Sequence, residues 1–253
     1  MRTVLTATLT LTLAASAQAQ FPPEKLENLK VFPKDIPVRA LIDTMAGFTR
    51  ALGVRCTFCH VGEEGKPLST YDFKSDEKHT KEAARVMLGM VAAINGAQLG
   101  KLEHRHEPRI TVTCATCHRG VAIPRPLAEV LMLTGLRDGA DAAVAQYREL
   151  RTRDYGRGAY DFGEETLLSA ARRLGQSRPE LAIPLAELNL EFFPKSVNSL
   201  VVKAIAQSRR DEEGAIATLK QALEIEPNNG EIKGRLYQLE ETLARRKKFA
   251  NPQ

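Results

Sequence analysis

Two copies of one pentapeptide constrain this chain more than any other feature. They contain all four cysteines, in Cys56-Thr57-Phe58-Cys59-His60 (the first motif) and Cys114-Ala115-Thr116-Cys117-His118 (the second motif). Cys-x-x-Cys-His is the attachment pattern of a c-type haem. Two thiols one helical turn apart add to the two vinyl groups of the porphyrin, and the next residue places an imidazole under the iron. The sequence therefore predicts two covalently bound haem c groups, with thioethers at Cys56, Cys59, Cys114 and Cys117 and proximal iron ligands at His60 and His118.

Other uses of four cysteines fit the pattern less well. An exported chain with four cysteines ordinarily forms two disulfides, and Cys-x-x-Cys alone could be a redox dithiol or half of a zinc site. A zinc site would need all four thiolates on one metal, and it would leave the histidine after each pair unexplained. Haem attachment accounts for every cysteine and for both histidines.

The ligand on the far side of each iron decides what the haems do. A methionine sulfur or a second histidine closes the iron for electron transfer, whereas an open position allows peroxidase or ligand-binding chemistry. Beyond Met1 and the proximal histidines, the candidates are Met45, Met87, Met90, Met132, His79, His104 and His106.

Helical apolar stripes precede both motifs, and each carries a methionine. One stripe consists of Leu41, Ile42, Met45, Phe48 and Leu52. The other lies in residues 75–100 and consists of Ala84, Met87, Val91 and Ile94, with Met90 on its flank. Methionine is a common filler of hydrophobic cores. With two irons to ligate and one in-phase methionine for each, however, Met45 and Met87 are the expected distal ligands.

The remaining candidates have other expected roles. Met132 lies in the apolar run 127–133, which is typical of packing. His79 is expected at a solvated helix start, and His104 and His106 at the surface, although ligation of one iron by two histidines stays open.

The first nineteen residues have the pattern of a secretory signal peptide. A basic start at Arg2 is followed by an apolar stretch over 4–15 and by the small-x-small sequence Ala17-Gln18-Ala19. The stretch is shorter than the roughly 20 apolar residues that span a bilayer. The sequence thus predicts cleavage near Gln20, export to the periplasm without a lipid-attachment cysteine, and a chain that is soluble there or peripheral to the membrane.

Composition changes after Pro124-Arg125-Pro126, where Ala- and Leu-rich helical sequence begins. Pro194 and Pro227 are 33 residues apart, and Ala182 and Ala215 precede them by equal intervals. This spacing is close to the tetratricopeptide period of about 34 residues. In one repeat the predicted helices cover 160–174 and 181–194. In the next, residues 217–229 are predicted to form the second helix and the turn after it, and a closing helix is predicted over 231–248.

The predicted fold class is all-α, with a signal peptide (1–19), a diheme cytochrome domain of few helices (20–126) and a tetratricopeptide-like α-solenoid (127–253). The solenoid face is either a docking surface for a protein partner or a structural appendage.

Residues 29–125 resemble one diheme half of the cytochrome subunit of bacterial photosynthetic reaction centres. The similar sequence comprises residues 80–90, 94–95 and 112–120, and residues 44–60 match the layout of the first haem segment of that family. The resemblance implies that each distal methionine comes from the preceding helix, which again gives Met45 and Met87. His106 falls where the family has a histidine that reaches a further haem. The family usually carries four haems and docks on a membrane reaction centre, whereas this chain has two attachment motifs.

The distribution of basic and aromatic residues argues against nucleic acid as a partner. The sequence pI is about 9.0, but the chain has no Trp, only 6% aromatic residues and no basic stripe interleaved with aromatics. The predicted function is an exported diheme c-type cytochrome that moves single electrons between redox partners, such as a membrane-bound reaction centre or oxidoreductase complex, and that is not an enzyme. The alternatives are a diheme peroxidase with one open iron and a haem-bearing scaffold that assembles a redox complex through its repeats.

Overall fold

The structure, a computed structural model, describes residues 20–103 and 107–250. Helices account for 66% of the structure, and the described residues form no strand beyond an isolated antiparallel bridge between Val61 and Asp72. The prediction of an all-α fold is therefore confirmed. The chain divides into two compact units, one ending at Ala122 and the other beginning at Ile123. The predicted boundary at residues 126 and 127 stays a prediction.

The first unit contains three α-helices among its described residues: α1 (Val38–Leu52), α2 (His79–Ala93) and α3 (Cys114–His118). Short 3₁₀ turns lie at Cys56–Phe58, Leu68–Thr70 and Leu99–Lys101, and a wider π-helical turn at Ile94–Gln98 extends α2.

Helix α2 begins four residues later than the sequence predicts. Backbone N–H groups of Lys74 and Ser75 donate to Asp72 Oδ1 at 3.1 and 3.0 Å, and the Glu77 N–H donates to Ser75 Oγ at 3.2 Å. Such side-chain bonds to the backbone compete with helix formation, so the chain turns before His79.

The first unit has almost no core of its own side chains. Every fully buried side chain among the described residues lies at or after Leu127. The apolar stripe of α1 is only half-buried, and Val86, Met87 and Met90 on α2 are 43 to 61% exposed. Apolar side chains of this unit thus retain surface that a large apolar group could cover.

The second unit contains seven helices among its described residues. They are α4 (Leu127–Asp138), α5 (Ala140–Asp154), α6 (Glu164–Ser177), α7 (Pro179–Phe192), α8 (Val197–Gln207), α9 (Glu212–Ile225) and α10 (Gly230–Ala250). Each helix from α4 to α9 packs on a sequence neighbour, and the pairs α4 and α6, α5 and α7, and α6 and α8 also pack. Leu and Ala side chains fill two core clusters between them.

The 33-residue spacing recurs in the structure of this unit. Ala182 in α7 and Ala215 in α9 are both fully buried. After these helices the backbone takes the same conformation at Phe193 (φ −129°, ψ 72°) and Glu226 (φ −123°, ψ 75°), each directly before a proline. The similar ends of α7 and α9 support a structural repeat. The assignment of this repeat to the tetratricopeptide class stays a prediction.

Helices α4 and α5 lie in the Ala- and Leu-rich sequence after Pro126, but they were not predicted as a helix pair. Helix α6 also begins at Glu164 rather than at residue 160, because residues 160–163 form a turn in which the Gly163 N–H donates to Asp161 Oδ1 at 2.8 Å. Met132 packs against the core of this unit.

Candidate haem-attachment sites

The first motif forms a single helical turn. The Cys59 N–H and the His60 N–H both donate to the Cys56 carbonyl, at 3.2 and 2.9 Å. The turn follows α1 closely, because Gly53 ends that helix in the left-handed conformation, with φ 64°. One turn therefore presents two thiols and, directly after them, an imidazole.

The second motif is itself the short helix α3. Its start is fixed by Thr113, whose N–H donates to Thr116 Oγ1 at 3.0 Å, and its end by Arg119, which is left-handed with φ 50°. All four cysteines of the two motifs are free thiols; Cys117 is exposed and the other three are half-buried. The thiols are thus free to form thioethers.

The two predicted proximal histidines are held differently. The His118 Nδ1–H donates to the Val121 carbonyl at 3.0 Å, which leaves Nε2 free to bind a metal. The His60 ring packs edge-on against Phe73, with centroids 5.0 Å apart, and its Nδ1 is buried without a hydrogen-bond partner among the described residues. Burial, together with the nearby Lys81 charge, lowers the pKa of His60 to about 4. The ring is therefore neutral near pH 7, as an iron ligand must be.

Helix α2 and the turn that extends it contact the first motif and the segment that leads into the second. At its start, Lys78 Nζ donates to the Thr57 carbonyl and Thr80 Oγ1 donates to the Phe58 carbonyl, both inside the first motif. Beyond its end, the Asn95 amide makes two bonds to the Val112 backbone: Nδ2 donates to the carbonyl and Oδ1 accepts from the N–H, both at 2.8 Å. One helix thus connects the first motif to the segment that leads into the second.

A cluster of charges on Asp76 holds the N-terminal segment and α2 together. The Asp76 carboxylate lies 2.7 Å from Lys30 Nζ, 3.1 Å from Lys81 Nζ and 2.8 Å from Arg85 Nη2, and it accepts a bond from Asn28 Nδ2 at 2.9 Å. Hydrogen bonds from Arg85, Lys30 and Asn28 hold the pKa of this carboxyl well below its ordinary value.

The predicted distal methionines lie on the two helices that precede the motifs. Met45 is half-buried on α1. Met87 is 43% exposed on α2, at the edge between the half-buried side chains of that helix and an exposed apolar face that also carries Val86 and Met90. The expected grouping of Met87 with buried side chains is therefore only partly present. Ligation by Met45 and Met87 stays a prediction.

The predicted surface histidines are only partly covered by the structure. His79 is the first residue of α2 and is exposed. His104 and His106, like the predicted signal peptide over 1–19, lie outside the described residues.

The residues of the first unit fit covalently bound haem. Each motif supplies two free thiols and a histidine, and the histidine environments favour neutral imidazole or a free Nε2. A porphyrin is a large apolar group, and the helices flanking the motifs carry apolar side chains that no other part of the unit fully buries. Within the described residues, no three His, Cys, Asp or Glu side chains gather into a group that could hold a metal ion.

Three features of this unit were not predicted from the sequence as parts of the site. They are the contact of Gly53 with Gly120, the bonds of Asn95 to Val112 and the Asp76 charge cluster. An asparagine in the apolar helical stretch before the second motif was the one available signal, because a polar side chain there needs a partner.

None of the helices within residues 20–103 and 107–250 has both the length and the hydrophobicity of a bilayer span.

Comparison with known families gives one match. Residues 14–134 match a family described as the photosynthetic reaction centre cytochrome C subunit. The matched segment contains both motifs and helices α1 to α3. A comparison with curated proteins gives no significant match. The family match indicates a c-type cytochrome that carries electrons on covalently bound haem c.

Proposed function

We propose that this chain is an exported diheme c-type cytochrome that transfers single electrons between redox partners in the periplasm. The observation that carries the proposal is the form of the two motifs. Each presents two free thiols and a histidine within one helical turn, and both lie in the segment that matches the reaction-centre cytochrome family.

Each cysteine and histidine of the motifs has a defined role in this proposal. Cys56 and Cys59 bind one haem and Cys114 and Cys117 the other, through thioethers that fix each porphyrin to a short turn. His60 and His118 supply the proximal nitrogen. When bound, each haem supplies an iron that changes between the ferrous and ferric states.

Hydrogen bonds with neighbouring residues orient these ligands. The Val121 carbonyl holds the His118 ring in the tautomer that exposes Nε2. Lys78 and Thr80 fix the turn of the first motif against the start of α2. A rigidly attached haem would rearrange its surroundings little when the iron is oxidised or reduced. Such a small rearrangement favours rapid electron transfer.

Met45 and Met87 are proposed to close the distal positions. A thioether is a soft ligand that raises the reduction potential relative to imidazole or water. Met45 lies on the helix that leads into the first motif, and Met87 lies on an exposed apolar face of the helix that leads toward the second. With both irons closed, the chain would carry electrons rather than act as a peroxidase.

The second unit is proposed to be a tetratricopeptide-like solenoid that docks a protein partner. The recurring helix ends before Pro194 and Pro227 support the repeat. A cleft of about 650 Å³ lies beside the turns after α7 and α9 and is lined by both apolar and charged side chains, which include Phe192, Val201, Lys195 and Glu231. A membrane-bound reaction centre or oxidoreductase complex is the proposed class of partner, with the chain at the membrane periphery.

The test uses the full chain produced in a host that attaches c-type haem. The pyridine haemochrome spectrum should give two haems per chain, and the ferric protein should show the weak near-infrared band of methionine-ligated iron. Carbon monoxide should bind poorly to the reduced protein. A colourless chain would refute the proposal, whereas rapid carbon monoxide binding together with peroxide turnover would favour the peroxidase.

A further inference from the structure

The two motifs are connected by a close backbone contact, to which the proposed function assigns no role. The Gly120 N–H, just after the second motif, donates to the Ala51 carbonyl at the end of α1, with an N–O distance of 2.8 Å. Gly53 lies against the same segment. A β-carbon added to Gly53 would lie 1.9 Å from the Gly120 carbonyl oxygen and 2.8 Å from its carbonyl carbon. Only a hydrogen atom fits between these two backbone segments.

Gly53 also has a local conformational reason to be glycine. It ends α1 with φ 64°, and its N–H donates to the Thr49 carbonyl. Left-handed glycine is a common way to end a helix. The conformation explains a glycine here, but it does not explain why the second motif approaches so closely. A substitution at position 53 therefore has two separable effects, which are backbone strain and a steric clash with Gly120.

The contact joins the segment just before the first motif to the segment just after the second motif. Cys56 is three residues after Gly53, and His118 is two residues before Gly120. Because successive α-carbons are about 3.8 Å apart, Cys56 is at most about 11 Å from Gly53, and His118 is at most about 8 Å from Gly120. Any displacement of the contact is therefore transmitted to both motifs over short segments.

We propose that Gly53 is a positioning residue that sets the separation of the two haem-attachment motifs, so that the two haems are electronically coupled. This inference rests on the proposed function. A side chain at position 53 would push the Gly120 segment, and with it His118, away from the end of α1. Haem attachment itself needs only the motifs, so the substitution should leave the haem content unchanged.

The test compares full-length holoproteins by haem content and by circular dichroism in the Soret region, where coupled porphyrins give a bisignate band. The unmodified protein should show such a band. Gly53→Ala should keep two haems per chain and lose part of the bisignate amplitude. Gly47→Ala is the matched control on the same helix, because a β-carbon at Gly47 meets nothing within 4 Å, and it should keep the full amplitude.

Two further variants separate backbone strain from the steric contact. Gly53→Asn introduces a β-carbon but tolerates the left-handed conformation, so it should lose amplitude as Gly53→Ala does. Gly120→Ala introduces strain at φ 89° but no contact within 4 Å, so it should keep the amplitude.

An unchanged Soret signal in a Gly53 variant that carries two haems would overturn the inference. The absence of a bisignate band from the unmodified holoprotein would also overturn the inference. This measurement tests the inference even if a variant does not accumulate. A chain without haem would instead refute the proposed function.

Discussion

At the residue scale, the two predicted proximal histidines differ in what holds the second ring nitrogen. The Val121 carbonyl accepts a bond from His118, which increases the electron density that the ring offers a metal. His60 Nδ1 has no such hydrogen-bond partner among the described residues. Burial, together with the positive charges of Lys81, Arg85 and Lys78, lowers the pKa of this ring. The environments of the two histidines therefore differ, although the two motifs have the same pattern.

The predicted distal ligand of the second haem can be tested against a neighbour on the same helix. Met87→Ala should open one iron to carbon monoxide and lower one reduction potential by on the order of 0.1 V, since axial ligands contribute much of the span of haem potentials. Met90→Ala is the matched control, because Met90 is similarly exposed on α2, and it should change neither. The measurements are a potentiometric titration and carbon monoxide difference spectra. Equal effects of the two substitutions would contradict the assignment of Met87.

At the scale of elements, α2 organises the first unit. Its start is bonded to the first motif, its extension is bonded to the segment before the second motif, and its Arg85 joins the Asp76 cluster. The wide turn Ile94–Gln98 follows the helix directly and places Asn95 beside Val112. Such turns are frequent at functional sites.

Loss of the Asn95 bonds should destabilise the first unit. Asn95→Leu leaves the Val112 N–H and carbonyl without their side-chain partners, which should lower the free energy of unfolding by about 1–3 kcal/mol. Gln98→Leu is the control, because Gln98 lies in the same turn and is exposed. Urea denaturation of the two holoproteins measures the difference. An equal loss in both variants would show that the Asn95 bonds contribute nothing specific.

The Asp76 cluster should make the stability of the first unit depend on pH. A carboxyl whose pKa is lower in the folded state stabilises the fold above its ordinary pKa of 3.8, and this contribution is lost as the pH falls below that value. Asp76→Asn should therefore be less stable than the unmodified protein at neutral pH, and the difference should shrink as the pH falls below 3.8. Denaturation curves at several pH values test this.

The control for Asp76 is an exposed ion pair. Asp43→Asn removes the pair of Asp43 with Arg39, whose side chains are 62 and 86% exposed. Pairs of this kind contribute little, so the substitution should have almost no effect at any of these pH values. A pH-independent difference for Asp76→Asn would contradict the role of its charge.

At the scale of the whole molecule, the two units differ in what stabilises them. The second unit has two clusters of buried Leu and Ala side chains. The first has no fully buried side chain among its described residues and relies on hydrogen bonds, ion pairs and, by proposal, two haems. Burial of apolar surface is the main favourable term in folding, so the first unit should depend on haem far more than the second.

Replacement of all four cysteines by alanine tests this difference. Without covalent haem, backbone amides of the first unit should lose protection from hydrogen exchange, while those of helices α6 and α7 should keep it, because their core residues Leu167 and Leu185 are fully buried. Mass spectrometry of the exchanged protein locates the loss. Equal protection of the first unit with and without haem would show that haem is not part of its core.

The sequence alone determined the features that depend on residue type and short-range spacing. The attachment motifs could be predicted because thioether and imidazole chemistry requires fixed neighbours along the chain, and the all-α class because apolar side chains recur at helical spacing. The pair α4 and α5 was missed because the repeat prediction started from the proline spacing, which begins only later in the chain.

Contacts between distant residues were decided only by the tertiary structure. Gly53 meets Gly120 across 67 positions, and Lys30 meets Asp76 across 46. The segment that a glycine contacts, or the partner of a lysine, depends on which parts of the chain the fold brings together, and no local pattern encodes that choice. The same holds for the exposure of Met87, because helical periodicity gives the face of a helix but not what covers it.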